Sequence, residues 1–152
     1  MADVDVDVVT MLNATRGGFV VAIGLMFTRA TEDEVACEVP VGPHLMQPYG
    51  LVHGGVYATI IETLASVAAA MFAMPKGQTT VGLENTTSFL RAVRTGTLVG
   101  IARPLHRGRA TQVWEVEVRG DDGKLAATGR VRVLCLEPGA TVAGETVALK
   151  LG

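Results

Sequence analysis

The chain has 152 residues, of which 49% are apolar and 18% are charged, and its formal net charge is -2. This length predicts a single domain over residues 1–152, and the apolar fraction excludes an intrinsically disordered chain. The near-neutral charge argues against a nucleic-acid partner. The small charged fraction leaves apolar surface to be covered, which predicts a homo-oligomer.

The first residues and the most apolar segment of the sequence predict where in the cell the protein is located. The sequence begins Met1-Ala2-Asp3, which is acidic where a secretory signal has basic residues. The run from Leu64 to Met74 is too short to cross a bilayer. We therefore expect a cytoplasmic protein without a membrane partner.

The first third of the chain predicts one helix and two strands. Apolar residues at positions 4, 8, 11 and 12 predict a short helix that ends before the Gly17-Gly18 pair. The apolar, β-branched run Phe19–Phe27 predicts a strand, and the alternation in Glu34–Val41 predicts a second. The proline- and glycine-containing segment 43–50 predicts a loop.

One long helix is predicted, from Gly54 to Met74. It carries a stripe of large apolar residues, namely Ile60, Leu64, Val67 and Met71. A second stripe of small residues contains Glu62, and its members Ala58, Ala65 and Ala69 predict the close approach of a second backbone, which suits a dimer or a dimer of dimers.

Strands fill the rest of the predicted fold, at Thr79–Leu90, Thr97–Pro104, Thr111–Arg119 and Lys124–Leu136. The first two are expected to pair through a turn at Thr95-Gly96, and Asp121-Asp122-Gly123 predicts a hairpin turn before the last. Short connections favour an antiparallel sheet. No second helix is long enough to cover the long one, so an α+β fold is predicted, with the sheet curled around a single helix.

The two cysteines and three histidines do not form a metal-binding pattern. Cys37 and Cys135 are far apart, no C-x-x-C occurs, and no histidine stands at ligand spacing from them. Both cysteines lie in apolar strand patterns and are predicted to be core residues. We expect no metal and no cofactor.

The start of the long helix and Glu62 are the features that suggest chemistry. The His53-Gly54-Gly55 turn leaves backbone N–H groups at the positive end of the helix dipole, where an oxyanion would be stabilised. The alternative is a tight turn without a ligand. Glu62 stands alone in an uncharged segment, so it is either a solvent-facing residue or a carboxylate beside a cleft, acting as general base or nucleophile.

These residues resemble the hotdog-fold acyl-CoA thioesterases. The resemblance rests on the motif Gly-Leu-Val-His-Gly-Gly at Gly50–Gly55, followed by Glu62. The similarity is greatest to the Arthrobacter-type 4-hydroxybenzoyl-CoA thioesterase and phenylacetate-pathway thioesterase group, and extends over a core from about residue 18 to 136, through Asn85–Arg91 and the Trp114 strand. It implies a hotdog fold, a small aromatic acyl-CoA substrate, and active sites that draw on two subunits.

The resemblance also implies roles for four residues near the reacting centre. Glu62 matches the carboxylate that attacks the thioester or activates water. Gly54 matches the backbone donor to the thioester carbonyl. Gln47 matches a loop glutamine near that centre, and Ser66 stands where the family has a threonine that holds the water or the acyl group.

Substrate-binding residues are implied in the same way. Arg91 matches a basic residue that contacts CoA phosphates, and His53 and Gly55 complete the motif, with His53 interpreted as stabilising the turn. The sequence departs from the family at Arg107 and Arg109, where a more basic turn could take over phosphate binding or could be a solvated turn.

The acyl pocket is expected to be lined by aromatic residues. Tyr49, which precedes the long helix, is preferred for shaping it, with Tyr57 and Phe89 as further candidates, whereas Phe72 is predicted to pack in the core.

The same residues leave two alternatives to a thioesterase, a hotdog hydratase and a non-catalytic acyl-CoA binding module. A hotdog hydratase is disfavoured because His53 and Glu62 lie about 2.5 helical turns apart, too far to share a proton. A non-catalytic acyl-CoA binding module would keep the arginines but would not need Glu62.

Overall fold

The helices and strands follow the order that the sequence predicts, except for an additional short helix near residue 20 and an additional pair of two-residue strands after residue 140. The computed structural model describes the backbone of residues 2–150 and the side chains of residues 7–150. The helices are α1 (Ala2–Ala14), α2 (Gly18–Ala22) and α3 (Gly54–Ala73), with 3₁₀ turns at Pro43–Leu45 and Met74–Lys76. The strands are β1 (Met26–Ala30), β2 (Val35–Pro40), β3 (Thr79–Phe89), β4 (Thr97–Arg107), β5 (Thr111–Arg119), β6 (Leu125–Leu136), β7 (Thr141–Val142) and β8 (Glu145–Thr146).

Six of these strands form one antiparallel sheet, in the order β1-β2-β4-β5-β6-β3. The central helix α3 packs against β2 to β6. Its core-facing residues Ile60, Ile61 and Leu64 are fully buried against strand residues such as Trp114 and Val116. The predicted α+β fold, a sheet around one long helix, is therefore confirmed.

The predicted strand at Phe19–Phe27 is wrong in its first half. Residues 18–22 form the short helix α2, and the strand starts only at Met26. Gly24, at φ +75°, reverses the chain between them. Val20, Ile23 and Leu25 still pack on the core, so an apolar run that looked like one strand serves two elements.

The predicted pairing of the third and fourth strands is also wrong. β3 pairs with β6 at one edge of the sheet, while β4 lies between β2 and β5. The connection is not a hairpin because Val93 is buried and its carbonyl accepts a hydrogen bond from Val52 N–H at 2.9 Å. β4 also continues past Pro104 to Arg107, with a register shift after the proline.

The small residues of α3 face the protein's own sheet. Ala65 and Ala69 are fully buried, and a Cβ built at Gly100 of β4 would lie 2.7 Å from Ile60 Cγ2. The small side chains and the bare glycine thus bring the helix close to the sheet. The interpretation of Ala65 and Ala69 as a surface for a second backbone is therefore wrong.

Length alone does not distinguish α3 from a membrane span. With the following 3₁₀ turn it forms a 23-residue helical segment, Gly54–Lys76, that is apolar and long enough to cross a bilayer. The segment Leu64–Met74, whose length argued against a membrane span, is therefore only part of this apolar helical segment. Half of the most apolar window is buried inside the protein, as in the core helix of a globular fold.

Both cysteines are buried and unpaired, as predicted. Burial raises the pKa of the Cys37 thiol to about 12. Cys135 Sγ accepts a hydrogen bond from Gln112 Nε2 at 3.3 Å. Phe72, in contrast, is only half-buried, and Lys76 Nζ lies 3.5 Å from its ring centre, so its predicted place in the core is wrong.

Candidate active site

The N-terminus of α3 presents one free backbone donor. His53 is the N-cap residue, and its Nδ1 accepts a hydrogen bond from Gly55 N–H at 2.8 Å. This contact confirms the turn-stabilising interpretation of His53 and occupies the donor of Gly55. Gly54 N–H has no hydrogen-bond partner within the part of the chain that the structure describes.

A cleft of about 390 Å³ opens beside Gly54. Its lining includes Gln47, Tyr57, Phe89 and Arg91. A Cβ built at Gly54 would lie 2.8 Å from Phe89 Cζ, so only glycine allows the ring to pack over the first turn of the helix. The free N–H is thus placed at the wall of a cleft that has one charged lining residue, Arg91.

The loop before α3 is held in place by its own hydrogen bonds. Gly50 adopts φ +71°, and Arg94 Nη1 donates to the carbonyls of Tyr49 and Gly50 at 2.8 and 2.9 Å. Tyr49 N–H donates to Gln47 Oε1. Since that bond uses the amide oxygen, the Nε2 group of Gln47 remains as the donor that the cleft can use.

Glu62 lies one and a half turns beyond Tyr57, with both carboxylate oxygens bonded. Oε2 accepts from Asn85 Nδ2 at 3.0 Å, and Oε1 accepts from Ser66 Oγ at 3.3 Å. A Cβ built at Gly82 of β3 would lie 2.5 Å from Glu62 Oε1, so this glycine leaves room for the carboxylate. The side chain is therefore half-buried and oriented by two neutral donors.

Glu62 and Gly54 are too far apart to act on one atom from the same protomer. Eight residues at about 1.5 Å each separate them by about 12 Å along the helix axis. Asn85 Nδ2 also donates to Ala58 O at 3.1 Å, which fixes the carboxylate beside the second turn. An attacking group and a carbonyl donor must both lie within about 3.5 Å of the reacting carbonyl. One protomer alone does not provide that geometry.

The comparisons with known proteins identify the family of this chain. The sequence profile of the thioesterase superfamily matches residues 49–127, which include the Gly54 turn, Glu62 and β3. The chain belongs to this superfamily. Rv1847 of Mycobacterium tuberculosis, which carries a provisional esterase name, is 41% identical over 117 residues, covering 76% of this chain and 84% of that protein. Its solved structure has a TM-score of 0.78 and covers 80% of this chain and 98% of its own.

Two other relatives are named thioesterases. The proofreading thioesterase EntH of Cronobacter sakazakii is 38% identical over 126 residues, covering 82% of this chain and 91% of that protein. The structure of thioesterase HI1161 of Haemophilus influenzae has a TM-score of 0.80 at 32% identity, covering 85% of this chain and 90% of its own. The protein is thus a hotdog-fold thioester hydrolase, and the hydratase and binding-module alternatives lose their support.

Within this thioesterase fold, Arg91 reaches the cleft but is already paired. Its Nη2 lies 2.5 Å from Asp122 Oδ2, and both side chains are exposed. The backbone N–H of Lys124 and, to a smaller extent, the Arg91 guanidinium hold the pKa of Asp122 below its usual range. A phosphate would therefore meet Arg91 together with a neighbouring negative charge.

The two arginines of the predicted basic turn lie at the other end of the thioesterase. Arg107 Nη2 is 3.0 Å from Asp33 Oδ1, and its guanidinium lies over the ring of Phe72, about 27 Å along α3 from Gly54. Arg109 is 86% exposed and lies 3.5 Å from Glu137. The structure does not bring either arginine to the cleft of its own protomer.

Two site residues were missed or ranked too low in the sequence. Tyr49 is 82% exposed and lies outside the cleft, whereas Tyr57 is buried and lines it. Tyr57 follows Gly54 by three residues, and this spacing on one helix face was the available signal. Asn85 was noted only as part of the family resemblance, because strand residues give no sign of which helix they face.

Metal ligands are not grouped in the described residues. No cluster of three or more His, Cys, Asp or Glu side chains that could hold a metal ion occurs among them.

Proposed function

We propose that this thioesterase hydrolyses the CoA thioester of a small aromatic acyl group, such as hydroxybenzoyl- or phenylacetyl-CoA. The observation that carries the proposal is the free Gly54 N–H at the wall of a cleft, together with a Glu62 carboxylate oriented by Asn85 and Ser66. The superfamily profile and the thioesterase relatives support thioester hydrolysis. The choice of an aromatic acyl-CoA rests on the resemblance of the Gly50–Gly55 motif and Glu62 to the aromatic acyl-CoA thioesterases.

The proposed reaction begins with polarisation of the thioester carbonyl. Gly54 N–H and Gln47 Nε2 donate to the carbonyl oxygen, which gains negative charge as the carbonyl carbon is attacked. Glu62 supplies the attack, either directly as a nucleophile or by taking a proton from water. The C–S bond then breaks, and CoA leaves as a thiolate that takes up a proton. Where water is the attacking group, the carboxylic acid is released in this step. Where Glu62 attacks, water afterwards cleaves the anhydride between the acyl group and Glu62, which releases the acid and restores the carboxylate.

Each active site is proposed to combine two protomers. Because Gly54 and Glu62 of one chain are about 12 Å apart, the carboxylate has to come from a partner. The edge strand β3 offers the surface: it is eleven residues long, it is largely exposed, and one of its edges is unpaired among the described strands. A long open edge is a template for pairing with a second copy. We therefore propose a dimer, or a dimer of such dimers.

The remaining proposals concern the contacts to the nucleotide of CoA, the number of domains, the cellular location and the partners. Arg91 at the cleft is the candidate contact for a CoA phosphate. Arg107 or Arg109 could meet the same CoA only from a neighbouring subunit. We further propose one thioesterase domain in the cytoplasm, without metal, cofactor or nucleic-acid partner.

A thiol-release assay tests the catalytic proposal. Benzoyl-, hydroxybenzoyl-, phenylacetyl- and linear acyl-CoAs are supplied, and free CoA is measured. We expect Glu62→Gln to keep the fold and to lower turnover at least about 100-fold, because the isosteric amide is neither a base nor a nucleophile.

The matched control is Glu38→Gln, on the exposed side of β2. It should leave turnover unchanged. Near-wild-type turnover of Glu62→Gln would remove Glu62 from the mechanism, and CoA release from none of the substrates would refute the proposed substrate class.

A further inference from the structure

The hydroxyl of Tyr57 is buried without a hydrogen-bond partner. The residue is only 3% exposed, and its Oη makes no hydrogen bond to any described residue. Leaving a buried hydroxyl unpaired is unfavourable, because the group loses its hydrogen bonds to water and gains none from the protein. An unpaired buried group in a native fold is uncommon and needs an explanation, and at the wall of a cleft a ligand can supply the missing partner.

Tyr57 stands at the site where a substrate is expected. It lines the same cleft as Gly54, Gln47 and Arg91, and its ring centre lies 6.1 Å from that of Phe89. Side chains on a helix lean toward the preceding turn, so the phenol of residue 57 covers the turn that starts at Gly54. The hydroxyl and the free Gly54 N–H therefore belong to one binding region.

The polar groups of this cleft identify the chemistry of the missing partner. Gly54 N–H, Gln47 Nε2 and the Arg91 guanidinium are all donors. Burial raises the pKa of the Tyr57 phenol, an effect that the charge of Arg91 only partly opposes, so the hydroxyl keeps its proton near neutral pH. A cleft lined by donors suits a ligand that carries several acceptor oxygens.

Burial distinguishes which part of an acyl-CoA meets each donor. The nucleotide is charged and large, so it stays at the exposed mouth, where Arg91 lies. The proposed polarising donors serve the thioester oxygen. The Tyr57 hydroxyl has almost no solvent exposure, so it meets the end of the ligand that is most enclosed, which is the acyl group.

We infer that Tyr57 is a specificity-determining residue whose hydroxyl hydrogen-bonds an oxygen carried by the acyl group. The inference deepens the proposed acyl-CoA hydrolysis and rests on it. The Tyr57 hydroxyl would favour acyl groups that carry an oxygen over their unsubstituted counterparts, because the latter leave the phenol without a hydrogen-bond partner.

Paired substrates and the Tyr57→Phe variant test this inference. The pairs are benzoyl-CoA with 3- or 4-hydroxybenzoyl-CoA, and butyryl-CoA with 3-hydroxybutyryl-CoA. Phenylalanine keeps the ring against Phe89 and removes only the hydroxyl. We expect kcat/KM for an oxygen-bearing member to fall about fivefold to tenfold, while the unsubstituted member is unchanged or improves.

The control is Tyr49→Phe, which removes the hydroxyl of the exposed tyrosine. It should leave every ratio of kcat/KM unchanged. If Tyr57→Phe also leaves the ratio of every pair unchanged while the wild-type enzyme releases CoA, this inference alone is overturned. If the wild-type enzyme releases CoA from no substrate, the proposed function fails and the inference falls with it.

Discussion

Glu62 shows how a single carboxylate is prepared for chemistry without a charged partner. Its two oxygens accept hydrogen bonds from an amide and a hydroxyl, at 3.0 and 3.3 Å. Neutral donors orient a carboxylate while leaving its remaining lone pairs available for a proton or a carbon. A lysine or arginine in the place of Asn85 would hold the charge more strongly and would weaken it as a base.

A second single-residue prediction concerns Arg91. Arg91→Ala should raise KM for acyl-CoA several-fold with little change in kcat, because a phosphate contact acts on binding far from the reacting carbon. A small acyl thioester that lacks the nucleotide should show no such change. Steady-state kinetics with both substrates provide the measurement.

Arg107→Ala is the comparison for Arg91→Ala. Arg107 is engaged by Asp33 and by the carbonyl of Glu32, to which it donates at 2.9 Å. Its loss should lower the unfolding temperature and leave KM unchanged. A raised KM in this variant would instead show that a neighbouring subunit presents Arg107 to the nucleotide, and equal losses on both substrates in Arg91→Ala would contradict a phosphate contact.

Among the helices and strands, the sequence predicted best those whose apolar residues recur with one clear period. The α3 helix and β5 were placed within a residue of their observed bounds, because a helical stripe and a strict alternation each allow one interpretation. The α2 helix was missed because five residues are too few to display a helical period. The pairing of β3 with β6 was missed because a connection's length does not reveal which strand lies at the sheet edge.

The site was predictable to the same extent. Glu62, Ser66 and Gly54 lie on one helix, so their spacing in the sequence was enough to predict their relative positions on that helix. Tyr57 lies on the same helix, so its spacing from Gly54 was also available, but its burial at the cleft depends on how a loop and Phe89 pack against the helix. The contact of Asn85 with Glu62 follows from the packing of an edge strand on that helix, which no local pattern records.

The contact between α3 and the sheet gives a prediction for stability. In Gly100→Ala, the new methyl group would meet Ile60 Cγ2 at 2.7 Å and Leu64 Cδ1 at 2.8 Å. The helix would have to move outward, and we expect the free energy of unfolding to fall by about 1–3 kcal/mol. Urea denaturation followed by circular dichroism measures this change.

Gly18→Ala serves as the reference substitution. A Cβ at Gly18 has no atom within 4 Å, and the residue begins α2. It should leave the stability unchanged or slightly higher. Equal stability of Gly100→Ala and the wild-type protein would show that the helix is not in tight contact with β4.

For the whole molecule, the separation of Gly54 from Glu62 predicts that activity requires a pair of chains. Light scattering at micromolar concentration should give at least a dimer mass. A dimer with Gln47→Ala in one chain and Glu62→Gln in the other provides a stronger measurement. If each site takes Gln47 and Glu62 from different protomers, one of its two sites is intact, and it should show about half of the wild-type turnover.

Each single-variant homodimer is the control for this mixture, since both of its sites carry a defect. A mixed dimer no more active than these controls would place Gln47 and Glu62 of one site in the same chain. A monomer mass would exclude the shared site altogether.

The two buried thiols have a consequence for measurement. A disulfide reagent that detects released CoA reacts only with thiolates it can reach, and in the folded enzyme Cys37 and Cys135 are both buried strand residues. The folded protein should therefore contribute little background signal. Slow consumption of the reagent in the absence of substrate would instead report local unfolding that exposes these thiols. The rate of this background reaction therefore measures how often the folded protein opens.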